Sequence, residues 1–264
     1  MRAGEEYAAD WRDGSAYAPL LQVGRAGFAW EWLRRDESYR LAAVQAAQSS
    51  ESLAMPGSAV NPDAARFGLL AFEPPDRPAI AARPVWSREI CPYVLQADAA
   101  DEGDEQDRLN LHGLGRLVTL VASQSGAEHL LLSDGSHTIR VDIVSGTLRG
   151  HPACLHYRLT GFCRLKEPLL VLRQLLALQR TGRFSPMLHP RERPAGRWIL
   201  LLRTFDALAA GASQRDIAER LFGLEAAGRR WRVEASSVRS RVQRLVREGR
   251  RMAAGEYLSL LGGR

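Results

Sequence analysis

The densest concentration of reactive side chains lies between Ser236 and Arg251, where the chain reads SSVRSRVQRLVREGRR. At about 100° per residue, Val238, Val242, Leu245, Gly249 and Met252 fall along one side of a helix. Ser236, Ser240, Gln243, Arg244, Arg247 and Arg251 fall opposite, flanked by Arg239, Arg241 and Arg250, with Glu248 the one acid of the stretch. The first set is built to pack. The second is a ridge of guanidinium forks, whose planar donors match phosphate oxygens and guanine edges, with a glutamine amide of the kind that pairs with adenine. The chemistry is that of gripping a polyanion. The same pattern also fits an ordinary three-helix bundle with a solvated arginine face.

The preceding elements must position that ridge. Residues 197–210 carry Trp198, Leu201, Leu202, Phe205, Leu208 and Ala209 at helical spacing and stop at Gly211, suited to a left-handed cap. Ser213 and Asp216 then form a capping-box pattern, Ile217, Ala218, Leu221 and Phe222 give the next apolar face, and Gly223 ends it. Helix, short turn, capped helix and basic helix is helix-turn-helix order. The connection 223–235 is longer than usual and holds Arg229, Arg230, Trp231 and Arg232, the tryptophan pinning it to the core. In this reading Ser236 or Ser237 caps the last helix and leaves backbone N–H groups for a phosphate. Gln243, Arg244 and Arg247 are the candidates for base edges, with Ser240 close to the groove. Arg239, Arg241, Arg250, Arg251, Arg229, Arg230 and Arg232 hold phosphates, and Gln214 and Arg215 add backbone contacts.

Charge is distributed accordingly. Of 264 residues with net charge +6, those from Pro190 onward contain sixteen arginines against eight acids, whereas the preceding 189 carry twenty bases against twenty-two acids. The positive field therefore belongs to the C-terminal part. Lys166 is the one lysine. Cys91, Cys154 and Cys163 are too far apart for a paired pattern, which suits a reducing cytoplasm. The acidic N-terminus lacks a signal-peptide core, and the apolar runs are too short to span a bilayer. His151, Cys154 and His156 lie close together but have no fourth ligand at a fitting spacing. There is no phosphate-binding glycine loop. The expectation is a protein that is not an enzyme and needs no metal or cofactor.

Four segments precede or make up this arrangement. Residues 1–52 form a small helical, aromatic-rich domain, with Trp11, Phe28, Trp30, Trp32, Leu33 and Tyr39 an apolar load too large for so short a unit to bury alone, and hence candidates for contact with another domain. Residues 53–84 are a proline-rich linker, either a tether or an irregular wrap with little helix; the stretch 55–84 holds six of the thirteen prolines. Residues 85–166 form a small antiparallel β unit, with strands expected at 85–94, 117–121, 129–133, 138–144 and 155–160 around turn dipeptides such as Asp134-Gly135. The run 98–107 carries six acids and reads as a surface loop. Residues 167–264, opening with a helix over 169–179, are the all-α helix-turn-helix domain. The fold class is α+β.

The order Ser213-Gln-Arg215-Asp216-Ile217-Ala218-Glu219, Trp231, Val238-Arg239-Ser240-Arg241-Val242-Gln-Arg244-Leu245-Val246 and Gly255-Glu-Tyr257 resembles an extended-turn helix-turn-helix domain of proteobacteria, over roughly residues 168–261. That domain occurs in activators of conjugative-element transfer of the FseA type and, alone, in small antiactivators. The family often ends in Gly-Gly-Tyr, where this chain has Glu256 in the middle. The stretch Trp30-Glu-Trp-Leu-Arg-Arg-Asp36 is similar to the regulator-like N-terminal domain of the same activators, with Trp32 where members commonly have phenylalanine. The resemblance implies a cytoplasmic activator whose N-terminal domain docks opposite the DNA-binding face. It implies double-stranded DNA as partner, together with RNA polymerase or a small antiactivator protein. The rivals are an antiactivator or protein-interaction module, and a plasmid replication or partition accessory protein.

Overall fold

The computed structural model describes residues 10–50, 58–223 and 231–262, with side chains for all of these except 49–50, 58 and 231–236. The fold is α+β. After a 3-10 turn at Gly14–Gln22 come α1 (Arg25–Leu33), α2 (Glu37–Ser50), β1 (Ser58–Ala59), α3 (Pro62–Ala65), β2 (Leu95–Ala100), β3 (Arg108–Leu109), α4 (Leu111–Leu114), β4 (Val118–Ala122), β5 (Glu128–Ser133), β6 (Thr138–Ser145) and β7 (Ala153–Arg158). Helices α5 (Lys166–Thr181), α6 (Ala195–Ala209), α7 (Gln214–Phe222) and α8 (Trp231–Ala253) follow, and a 3-10 turn at Glu256–Leu260 closes the described chain.

The strands form one mixed sheet of order β1-β4-β5-β6-β2-β7-β3. The meander β4-β5-β6 is the antiparallel unit expected from its turn dipeptides, but β1 joins β4 and β2 joins β6 in parallel. The expected strand at 85–94 is replaced by an isolated bridge between Leu69 and Trp86, and β2 begins only at Leu95. Ile139, Val141 and Ile143 pack with Leu95, Leu130 and Leu132 beneath Val171, Leu175 and Leu178 of α5. Arg140 and Asp142, on the opposite face of β6, are buried too, so that face is covered rather than wet. The acidic run 98–107 is not all loop: Asp98 lies in β2 and takes a bidentate pair from Arg158 of β7, at 2.6 Å for each bond.

Of the two readings of the linker, residues 58–84 take the irregular wrap around the N-terminal helices. Pro62 sits in the first turn of α3, where a missing N–H costs nothing, and Ala64, Leu69, Ala79 and Ala82 are buried in the same core as α1. The wrap supplies carbonyls to that core. Trp30 Nε1 donates to Arg77 O at 2.9 Å, Tyr39 Oη to Glu73 O at 2.7 Å, and Arg34 Nε to Pro75 O at 3.0 Å. Six consecutive residues of α1, Phe28 to Leu33, are buried, because the wrap covers one side and α6 the other. Phe28 meets Trp198 edge-on at 4.8 Å between ring centres, and Trp32 meets Phe205 at 5.5 Å.

Candidate nucleic-acid interface

Helix α8 is the frame of the site. It starts at Trp231, so Ser236 and Ser237 lie inside it and neither caps it, against the expectation from sequence. Its 23 residues make a rod of about 35 Å. Val242, Leu245, Val246 and Met252 are 1–6% exposed, Gly249 is buried, and Val238 is half-buried at the edge of that face. They pack on α6, α7 and the closing turn. A Cβ added at Gly249 would lie 3.6 Å from Leu201 O, so α6 runs close beside this position.

The other face is open. Ser237, Arg239, Ser240, Arg241, Gln243, Arg244, Arg247, Arg250 and Arg251 are all exposed. On an ideal helix the set without Arg241 spans an arc of about 160°. Among the described residues no carboxylate lies within salt-bridge distance of Arg239, Arg244, Arg247 or Arg250. Among the described side chains of the helix, two charges have an ion-pair partner. Glu248 is taken by Arg197 of α6, and Arg251 lies 3.2 Å from Glu256. Arg241 lies over the Phe222 ring at 4.3 Å, which ties it to the end of α7. Arg229 and Arg230 lie outside the described residues, as do the side chains of Trp231, Arg232 and Ser236.

The turn before α8's neighbour is tightly defined. Gly211 takes φ +78° after α6, and Ala212 N donates to Ala207 O at 2.9 Å, closing the helix end. Ser213 then caps α7. Its Oγ accepts from Asp216 N at 3.2 Å, and the Asp216 carboxylate accepts from Ser213 N at 2.8 Å. Ser213 Oγ also donates to the Asp216 carboxylate at 2.8 Å, and this bond first, with the one from Ser213 N second, holds the Asp216 carboxyl below its usual range. Gln214 is exposed at the first helical position, whereas Arg215 is engaged by Glu219 at 2.8 Å.

The N-terminal segment completes this group from behind. Trp11 shares a buried cluster with Ala207, Ile217, Ala218, Val242 and Val246. Arg203 Nε donates to Trp11 O at 3.0 Å and Arg220 Nε to Arg12 O at 2.8 Å. Below them is a buried polar network that sequence reasoning missed. Arg35 grips Asp206 of α6 with Nε to Oδ1 at 2.7 Å and Nη2 to Oδ2 at 2.8 Å, and Tyr17 Oη donates to Oδ2 at 2.6 Å. Arg35 and Arg34 also pair with Glu31. Burial alone would raise the Glu31 carboxyl, but the two guanidiniums override it and hold it low. The signal was present as Glu31, Arg34 and Arg35 at i, i+3 and i+4, and as Asp206, the one acid in an apolar helix. Of the expected docking residues, Trp11, Phe28 and Trp32 face α6–α8 clusters directly, while Trp30 and Tyr39 face the wrap. Leu33 is fully buried in the shared core.

Residues 159–262 match a family model described as a T6SS transcription factor DNA-binding domain. Residues 10–69 match a proteobacterial transcriptional regulator-like domain. The chain is a DNA-binding transcriptional regulator. Its DNA-binding region runs from the end of β7 through α8 to the closing turn, and its regulator-like region covers α1, α2 and the first part of the wrap. A search of curated proteins finds no match. No helix among the described residues is long and apolar enough to cross a membrane.

Proposed function

We propose that the regulator reads a specific DNA sequence with α8, in an extended-turn helix-turn-helix, and that it activates genes for excision or conjugative transfer of a mobile element. The observation that supports this is the open arginine ridge of α8, set on a fully packed valine and leucine face, within a region matched by a DNA-binding family model. Arg247 lies at the middle of the open arc, with Gln243 about 40° to one side and Arg244 about 60° to the other, and these three reach base edges. Arg239, Arg250 and Arg251 hold phosphates, and Gln214 at the start of α7 meets the DNA backbone. Arg241 is the weakest member of the expected set, because it already rests on Phe222. The protein acts by binding alone, in the cytoplasm, with RNA polymerase or a small antiactivator as protein partner.

A second reading concerns the regulon. The matched DNA-binding model is described by a T6SS transcription factor, which favours secretion genes over transfer genes as the target. Genome-wide mapping of bound fragments separates the two. Enrichment at excision or transfer promoters supports the first, and enrichment at secretion promoters the second. Binding to a recovered fragment should weaken with salt, with a log–log slope of about −5 if six phosphates are neutralised. No retention on any DNA at low salt would overturn both and favour a module that binds another regulator.

A further inference from the structure

The arginine ridge of α8 carries one opposing charge. Glu248 is the single acid between Ser236 and Arg251. On an ideal helix it stands about 100° from Arg247, just past the edge of the open arc, about 40° from Arg244 and about 60° from Arg251. Those arginines are its i−4 and i+3 neighbours, the spacings at which side chains on one helix meet and pair. Left alone, this carboxylate would draw a guanidinium off the ridge, and it would repel any phosphate that approached.

A residue of another helix occupies it instead. Arg197 Nε donates to Glu248 Oε1 at 3.3 Å, and Arg197 Nη2 donates to Oε2, so one guanidinium fork takes both oxygens. The approach of α6 to α8 makes the fork possible. Leu201, one turn further along α6 than Arg197, brings its carbonyl to 3.6 Å from where a Cβ at Gly249 would lie. Arg197 sits in the first turn of α6, where the helix dipole favours acids, and that turn contains none. A cation there works against its own helix, and the Glu248 carboxylate offsets this. The two ridge arginines that Glu248 could reach are left alone by it. Among the described residues Arg244 has no carboxylate within salt-bridge distance, and Arg251 lies 3.2 Å from Glu256. The Arg197 side chain is 56% exposed and that of Glu248 26%, so the pair adds little to stability. Its larger effect is on the charge that the ridge presents.

We propose that Arg197 is a positioning residue for DNA binding: it holds the Glu248 carboxylate on α6, and so keeps Arg244 and Arg251 available to the polyanion. Arg197 acts through Glu248 and does not itself touch DNA. This rests on the reading of α8 as the DNA-binding helix, and names a residue outside α8 that sets its charge.

The test is a double-mutant cycle on the full chain: wild type, Arg197→Ala, Glu248→Gln and the two together. The probe is a labelled duplex of mixed sequence at low salt, where phosphate attraction dominates, read by fluorescence anisotropy across a salt series. Arg197→Ala should bind about fivefold more weakly, the worth of an exposed ion pair at the upper end of its range, with a salt slope shallower by up to about 0.9. Glu248→Gln alone should bind at least as tightly as wild type. The double variant should return to wild-type affinity, because no carboxylate is left to restrain. A pair that merely staples α6 to α8 predicts the reverse, since glutamine cannot restore the staple; affinity and the melting temperature from circular dichroism would then fall together and stay low in the double variant. That result, an Arg197→Ala affinity equal to wild type, a weakened Glu248→Gln, or a double variant as weak as Arg197→Ala would each overturn the proposal while the DNA-binding reading stands. Failure of the wild-type chain to retain the duplex would overturn both.

Discussion

Replacing Asp206 with alanine should break the joint between the N-terminal helices and the DNA-binding helices. The side chain is 3% exposed and accepts three hydrogen bonds, two from Arg35 and one from Tyr17. Truncation removes all three and leaves a guanidinium whose own side chain is 9% exposed with Glu31 as its remaining carboxylate. Breaking one side of a buried pair costs about 3–5 kcal/mol, most of it from the charge left behind. For a chain of this size that corresponds to a fall in Tm of about 6–20 °C. The double variant Asp206→Leu with Arg35→Met removes both charges and should recover a large part of the loss, since Glu31 keeps Arg34. Urea unfolding followed by far-ultraviolet circular dichroism measures both, and tryptophan fluorescence should report the same midpoint if the two regions unfold together. An Asp206→Ala variant within about 1 kcal/mol of wild type would refute the reasoning.

The network also sets an acid limit. The Glu31 carboxyl is held below its ordinary value, so the stability it contributes is present above that value and is lost as pH falls through the depressed one. Arg35→Met removes the nearer of its two guanidiniums and should move the acid-unfolding midpoint upward.

Arg244→Ala and Arg247→Ala should each weaken binding to a mapped site by about 1–3 kcal/mol with unchanged melting temperature, read by fluorescence anisotropy; unaltered affinity in both would remove them from the base-reading set. Gly249→Ala should stabilise by up to about 1 kcal/mol, because helical propensity rises and the new methyl meets Leu201 O at 3.6 Å, an ordinary contact; a lower urea midpoint would contradict that. Burial, with the Asp36 charge second, pushes the Tyr257 phenol up to about 12, so its contribution is complete below 10 and disappears as pH rises through about 12. Tyr257→Phe should therefore unfold at a higher pH relative to its own neutral stability, as followed by circular dichroism in alkaline titration.

The α8 face was legible because a period of 3.6 is written in adjacent residues, and Val242, Leu245, Gly249 and Met252 needed no distant information. Its beginning was not. Two serines before a basic run resemble a cap, yet serine costs little inside a helix, and the helix continues back to Trp231. The hairpins of β4, β5 and β6 follow from their turn dipeptides, whereas β2 lying between β6 and β7 is a non-local pairing that no local pattern encodes. Proline density in 55–84 marks broken helix and strand correctly but says nothing of burial. The segment is irregular because its carbonyls are spent on Trp30, Arg34 and Tyr39. The Asp206 network joins residues 171 apart, and only the fold shows that Arg35 and α6 meet.

The aromatic N-terminus could have covered the arginine ridge, which would have silenced it. It does the opposite. Trp11 enters the cluster of Val242 and Val246, and the α1 core takes in Leu245 and Met252, all on the packed side of α8. Arg203 and Arg220 hold the Trp11 and Arg12 carbonyls from α6 and α7, and Arg35 holds Asp206. The apolar contacts fix α8 against rotation about its axis, and the hydrogen bonds hold the N-terminal segment to α6 and α7, against which α8 packs. A rotation of about one residue, 100°, would exchange Arg244 for Leu245 at the open face. The regulator-like domain thus lies as a brace behind the helix: it helps set which side chains face outward while leaving Gln243, Arg244 and Arg247 exposed.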